Sequence, residues 1–348
     1  MLPRIAITHG DFNGIGYEVI LKAFEDERLA ELCIPILYGS SKILGQYRKL
    51  LSLSTNYNVI KTPEEAKEGV LNVIDCISPE LKAEPGQSSE IAGKAALESL
   101  KLALADLKNG TVDVLVTAPI NKKNIQGDKF TFPGHTEYLE SAAGPDCSAL
   151  MVLSSGDLRV ALVTTHLPLA DVAQNITEEQ ILNKLRLFNK SLRRDFGVHH
   201  PRIAVLALNP HAGEEGLLGQ EENNIISPTL EKAREEKIMV FGPYASDGFF
   251  GSGNFKKFDG VLAMYHDQGL TPFKVMAMDY GVNFTAGLPW VRTSPDHGTG
   301  YDISGRGEAS ADSMRNAIYQ GIDIFRNRKR EDEATSNPLT VQTPEKEK

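Results

Sequence analysis

Short apolar runs of strand length alternate with longer helical patterns along most of this chain, and that alternation limits the fold more than any other feature. Arg4 to Thr8, Ile34 to Tyr38, Val112 to Val116, Leu158 to Thr164, Ile203 to Leu208 and Gly260 to Met264 are rich in Val, Ile, Leu and Ala, as strands buried on both faces require. Between them, Thr177-Glu-Glu-Gln180 forms a capping box, with Ile176 placed to staple onto Ile181. Ile181, Leu185, Phe188 and Leu192 then make one stripe, and Gly197 is the expected stop. A second helix is expected from Ser89 to Lys108, with Leu100, Leu104 and Leu107 on one face and Gly110 behind it. Strand and helix in alternation predict an α/β protein with a parallel or mostly parallel sheet.

At 348 residues the chain suits two domains. The boundaries are expected near Phe130 to Gly134 and near Asp302. That gives a first α/β domain of 1–130 plus 303–328, a second of 131–302, and a mobile polar tail at 329–348. A net charge of −9 argues against gripping nucleic acid through phosphates. No apolar stretch approaches the ~20 residues that span a bilayer. Cys33, Cys76 and Cys147 are odd in number and widely spaced, as in reduced thiols of a cytosolic protein. The N-terminus runs directly into a strand pattern with no signal-peptide core, so a cytoplasmic location is expected.

The chemistry concentrates between Tyr265 and Gly307, where His, Asp, Lys, Asn, Arg and Gly recur between short apolar pieces. His166, His211 and His266 each stand just past a predicted strand, where open α/β sheets place their ligands. Three neutral imidazoles converging from separate loops suit Zn²⁺ or another divalent ion; ordinary hydrogen-bonded histidines are the plain alternative. Lys274, Asn283 and Arg292 lie near Gly281, Gly287 and Pro289 and offer a point charge, an amide and a planar fork to an anion. Pro133-Gly134-His135-Thr136 adds a turn with an imidazole and a hydroxyl. Gly10-Asp-Phe-Asn-Gly14-Ile-Gly16 follows the first strand, but its glycine spacing is not the dinucleotide fingerprint, and no Walker-type Gly-Lys-Ser/Thr occurs. His199 and His200 read as turn residues.

Thr117-Ala-Pro-Ile-Asn-Lys122, Pro133-Gly-His-Thr-Glu137, Asn209-Pro-His-Ala-Gly-Glu214, His266-Asp-Gln-Gly-Leu270, Gly281-Val-Asn and Arg292-Thr-Ser-Pro-Asp-His-Gly-Thr-Gly300 occur in one order. Through them the chain resembles the 4-hydroxythreonine-4-phosphate dehydrogenase family of pyridoxal phosphate biosynthesis, from about Arg4 to Ile324. The resemblance implies a homodimer with a shared active site and an isocitrate/isopropylmalate-dehydrogenase-like fold, two α/β domains around a cleft. It implies His166, His211 and His266 as metal ligands, one of them contributed across the dimer. His135, Thr136, Lys274, Asn283 and Arg292 would hold substrate. Asp296, His297, Gly298, Thr299 and Asp302 would form an adenosine-binding loop for NAD or NADP.

The reaction so implied is metal-dependent oxidation of 4-phosphooxy-L-threonine followed by loss of CO₂, with Zn, Mg, Co or Mn as the ion and Asp247 and Lys122 as proton-handling candidates. A sister dehydrogenase of 4-phospho-threonate or -erythronate, a metallohydrolase and a non-catalytic phospho-acid sensor are the alternatives. The chain departs from the family pattern at Phe12-Asn13 and Tyr17, at Gly213-Glu-Glu-Gly-Leu-Leu-Gly219, and at Ser246-Asp-Gly-Phe-Phe250.

Overall fold

The computed structural model describes residues 2–127 and 130–337. Its strands are β1 (Arg4–Thr8), β2 (Ile34–Gly39), β3 (Tyr57–Ile60), β4 (Leu71–Asp75), β5 (Val114–Thr117), β6 (Leu150–Ser155), β7 (Leu158–Leu162), β8 (Ile203–Leu206), β9 (Val240–Tyr244), β10 (Gly260–Ala263), β11 (Val282–Ala286) and β12 (Val291–Pro295). The helices are α1 (Gly16–Ala23), α2 (Arg28–Leu32), α3 (Ser41–Leu50), α4 (Glu90–Lys108), α5 (His135–Ala143), α6 (Leu169–Asn175), α7 (Glu178–Arg194), α8 (Ser227–Glu235), α9 (Ser246–Gly251), α10 (His266–Ala277) and α11 (Asp312–Thr335).

One twelve-stranded sheet has the order β3-β4-β2-β1-β5-β12-β11-β6-β7-β10-β8-β9. From β3 to β12 every neighbouring pair is parallel. From β7 to β9 the pairs are parallel again. Between the two blocks β11 and β6 run antiparallel to their neighbours. The sheet is thus mostly parallel, as expected, with its reversal of direction in the middle. β12 lies within the 131–302 segment yet pairs with β5, so the sheet passes unbroken through both expected lobes.

The helices form where their caps and stripes require. The Thr177 hydroxyl accepts from the Gln180 N–H at 3.3 Å, and Ile181, Leu185, Phe188 and Leu192 are buried below it. Phe188 sits so close to β10 that a Cβ on Gly260 would stand 2.5 Å from its ring. Ser89 caps α4 through the Ala92 N–H, and Leu100, Leu104 and Leu107 bury against Ile36, Tyr38 and Leu115. Each such side chain contributes about 1.5–3 kcal/mol when fully buried. The three cysteines are free thiols.

One boundary needs correction. The polar segment from Lys329 is not a tail from its first residue: α11 continues through Thr335. Lys329 to Ala334 are adequate helix formers that extend a helix already nucleated at Asp312, and Arg194 Nη2 pairs with Asp332 at 2.9 Å. Residues 338–348 of that expected tail lie outside the described residues.

Candidate active site

β5, β11, β12 and the start of α5 enclose a cavity of ≈ 220 Å³. Arg292 comes from inside β12, a position that strand periodicity would give to an apolar residue. The residue is 3 % exposed. Nε and Nη2 donate to the Thr117 hydroxyl at 3.2 and 2.7 Å, and Nη1 donates to the Thr285 hydroxyl at 3.0 Å. Among the described residues no carboxylate pairs with it. Burial lowers its pKa to about 10, partly offset by the charge on Glu137. A buried cation held only by neutral hydroxyls has an incomplete electrostatic environment, which an incoming anion would complete.

His135, Thr136 and Glu137 occupy the first turn of α5 and line the same cavity, with Lys122 and Asn283. Burial, reinforced by Arg292 and Lys122, pushes the His135 pKa well down, so the ring is neutral. Asn283 Oδ1, Asp296 Oδ2 and His297 Nε2 are buried there without a hydrogen-bond partner. Asp296 meets Lys274 Nζ at 3.8 Å, and burial raises its pKa. Lys274, Asn283, Arg292, His135 and Thr136 therefore gather about one cleft. So do Asp296, His297 and Gly298, expected on the cofactor loop and lining this cavity as well.

The three histidines follow neighbouring parallel strands, β7, β10 and β8. α10 lies close on β7 and β10, since a Cβ on Gly269 would stand 2.8 Å from Leu162 Cδ2, and this fixes His266 at its N-terminus. The His166 and His266 ring centroids are 6.0 Å apart. His266 Nδ1 meets Asp267 Oδ1 at 2.7 Å and His166 Nδ1 meets Glu137 Oε1 at 3.5 Å, which leaves both Nε2 atoms free. That donor set fits a divalent ion: two imidazoles, each with its outer nitrogen beside a carboxylate. His211 is exposed, and among the described residues no hydrogen bond or ion pair joins it to this pair. Among the described residues of one chain, no group of three His, Cys, Asp or Glu side chains is gathered closely enough to hold a metal.

The backbone around His211 is unusual. His211, Ala212, Gly213, Glu214 and Glu215 are all left-handed, with φ from 43 to 78°. For the non-glycine residues this costs about 1–2 kcal/mol each. Buried Glu222 offsets it by accepting from the Leu208 and Asn209 N–H groups at 2.9 and 2.8 Å and from Asn209 Nδ2 at 2.9 Å.

The glycine loop after β1 acts as a clasp on the loop that follows β12. Gly14 is required because a Cβ would stand 2.5 Å from the Thr299 carbonyl, to which the Ile15 N–H donates at 2.9 Å. Buried Asp11 accepts from the Tyr301 hydroxyl and Asn124 Nδ2, both at 2.7 Å. Asn121 Nδ2 also donates to Tyr301 at 3.0 Å. Glu18, fully buried, accepts from the Gly305 and Ala309 N–H groups. Gly298, Thr299 and Asp302 thus sit on a loop tied to the first strand's loop and to the Lys122 segment. Sequence reasoning weighed those glycines only as a nucleotide cradle and did not single out Asp11, Asn121, Asn124, Tyr301 or Glu137.

Asp247 is exposed in the first turn of α9, beyond edge strand β9, and does not line the cavity. A larger hollow, ≈ 600 Å³, lies between β6, β7 and α11 and contains none of the expected site residues.

Fold and cleft together define a class: an α/β enzyme whose central cavity is built for a small anion beside an imidazole pair. The family model described as pyridoxal phosphate biosynthetic protein PdxA matches residues 31–321. The chain is 55% identical over 343 residues to a 4-hydroxythreonine-4-phosphate dehydrogenase of Bacteroides thetaiotaomicron, covering 99% of this chain and 94% of that one. It is 38% identical to a putative D-threonate 4-phosphate dehydrogenase of Oceanobacillus iheyensis, covering 92% and 98%. The crystal structure of the Klebsiella pneumoniae 4-hydroxythreonine-4-phosphate dehydrogenase superposes with a TM-score of 0.81 at 35% identity, over 93% of this chain and 98% of that one. The chain belongs to the PdxA family of pyridoxal phosphate biosynthetic proteins.

Proposed function

We propose that the chain oxidises 4-phosphooxy-L-threonine with NAD or NADP to 2-amino-3-oxo-4-phosphooxybutanoate, which loses CO₂ to give 3-amino-2-oxopropyl phosphate, a step toward pyridoxal 5′-phosphate. The observation that supports this best is the buried Arg292 guanidinium without a carboxylate partner, in a cavity too small for more than a compact substrate. Its fork would take one anionic end of the substrate, with neutral His135 and the Thr136 hydroxyl beside it. Lys274 and Asn283 would hold the other end and so align the reacting C–H. His166 and His266, with His211 from the same chain or the partner, would hold a divalent ion, whether Zn, Mg, Co or Mn. When bound, the ion supplies Lewis-acid charge and the nicotinamide a hydride acceptor.

Lys122, at the cavity mouth, is placed to move the proton of the substrate hydroxyl. Asp247 would reach the cleft only from a second subunit. The Gly298–Asp302 loop would hold the adenosine half of the cofactor. A homodimer fits the exposed apolar side chains near the histidines, Leu169 at 74 %, Leu217 at 79 % and Val275 at 82 %. Sedimentation showing only monomer at micromolar concentration would contradict it. The 1–130 plus 303–328 and 131–302 lobes would form the two sides of the cleft, in a cytoplasmic enzyme.

A second reading, oxidation of a 4-phosphorylated threonate, is favoured by the 38% identity to the Oceanobacillus relative. Absorbance growth at 340 nm with each substrate, NAD or NADP, and added divalent ion separates the two. Turnover of the amino acid supports the first reading. Turnover of the threonate alone replaces it, and no nicotinamide reduction with either rejects both.

A further inference from the structure

Glu137 lies on the cavity wall where the two halves of the cleft meet. It stands two residues beyond His135 in the first turn of α5, lines the anion cavity with Arg292 and Lys122, and reaches His166 Nδ1 at 3.5 Å, the outer limit of hydrogen bonding. It is half-buried, and no lysine or arginine forms an ion pair with it among the described residues. We infer that Glu137 is a positioning residue that holds His166 as its Nδ1–H tautomer and so presents Nε2 to the metal ion. This rests on the metal reading above.

Three features support the assignment. A neutral imidazole ligates through one nitrogen only if the other keeps its proton, and an acceptor at Nδ1 selects that tautomer. His266 has the same arrangement with Asp267, so the two rings are prepared alike. The third is geometric: Glu137 Oε1 stands 3.5 Å from His166 Nδ1, on the side of the ring away from Nε2. Its placement on α5 further means that the helix turn presenting His135 and Thr136 to the substrate also sets the orientation of a metal ligand.

The test measures metal affinity, not turnover. Co²⁺ binding to the apo-protein is followed by visible absorption and by competition with a chromophoric chelator, for wild type, Glu137→Gln and Glu137→Ala. Far-UV circular dichroism and Tm check that each variant is folded. The expected result is roughly a 10-fold weaker affinity for Glu137→Gln and 10- to 100-fold for Glu137→Ala. In the wild-type apo-protein, ¹⁵N shifts of His166 should report the Nδ1–H tautomer, a readout available even if a variant fails to fold. Unchanged Co²⁺ affinity in folded Glu137→Ala, or an Nε2–H tautomer in wild type, overturns the assignment. A wild-type protein that takes up no Co²⁺ overturns the metal reading itself, and this role with it.

Discussion

On the β5–β12 side of the cleft a guanidinium is sealed from water against two threonine hydroxyls, and the loop behind it is tied down by Asp11, Glu18 and Tyr301. On the β7–β10 side the His166 and His266 side chains stay 44% and 40% exposed, beside Leu167 and Leu169. The first wall is assembled before any ligand arrives and carries the electrostatic penalty of an unpaired buried charge. The second is open and has its ring nitrogens prepared, but it lacks its third donor within the pair. Pre-organisation is therefore invested at the proposed anion subsite, while the proposed metal side would need an ion and further groups to close.

The sharpest way to break this contrast is at Arg292. Arg292→Met should lower kcat/KM on the order of 10²–10³, roughly 3–4 kcal/mol, because the anion loses its bidentate partner. The same change should leave unfolding stability within about 1 kcal/mol of wild type or raise it, since an unpaired buried charge is removed. Steady-state kinetics and urea unfolding check both. A large loss of stability would show that the guanidinium is structural.

Acid should weaken the closed wall first. His9, fully buried behind the glycine loop and stacked on Tyr17 at 5.2 Å, has its pKa lowered by burial from 6.5 to about 4. At neutral pH both the folded and unfolded states hold it neutral, so it contributes no penalty. Below about 6.5 the unfolded chain takes up a proton that the folded protein refuses until about pH 4. Stability should fall across that window by up to about 3 kcal/mol. Unfolding measured from pH 7 to 4 should show the slope, and His9→Phe should flatten it.

A smaller effect separates the walls cleanly. Tyr301→Phe removes one donor from the buried Asp11 carboxylate and should cost about 1.5–3 kcal/mol, with a several-fold rise in KM for the dinucleotide. Co²⁺ affinity should not move, because among the described residues the histidine wall shares no hydrogen bond with that network. A parallel loss of metal affinity would join the two regions and remove the distinction.

Much of the fold was legible because the strands buried on both faces carry continuous apolar runs. β1 matches its expected bounds, and β2, β5, β7, β8 and β10 match theirs to within two residues. β11 (Val-Asn-Phe-Thr-Ala) and β12 (Val-Arg-Thr-Ser-Pro) escaped because their buried positions hold polar groups, which local hydrogen bonds make tolerable. β9 escaped because Gly242-Pro243 reads as a turn. The cavity-lining Asn283, Arg292, His135 and Thr136 were readable from their types as candidates for holding an anion, Arg for its planar fork. Glu137 and Asp11 were not, because an acceptor's role depends on what it faces and strand periodicity does not encode that. The left-handed turn at His211 left only Gly213, Gly216 and Gly219 as a signal, too little to predict five consecutive left-handed residues, four of them not glycine.

The most direct measurement is a crystal structure of the protein grown with Co²⁺, the nicotinamide cofactor and 4-phosphooxy-L-threonine, with anomalous data at the cobalt edge. The account predicts a cobalt peak at ligand distance from the Nε2 atoms of His166 and His266 and an anionic group of the substrate on the Arg292 guanidinium. Cobalt bound away from those imidazoles, or Arg292 still facing only Thr117 and Thr285 with substrate elsewhere, would contradict it.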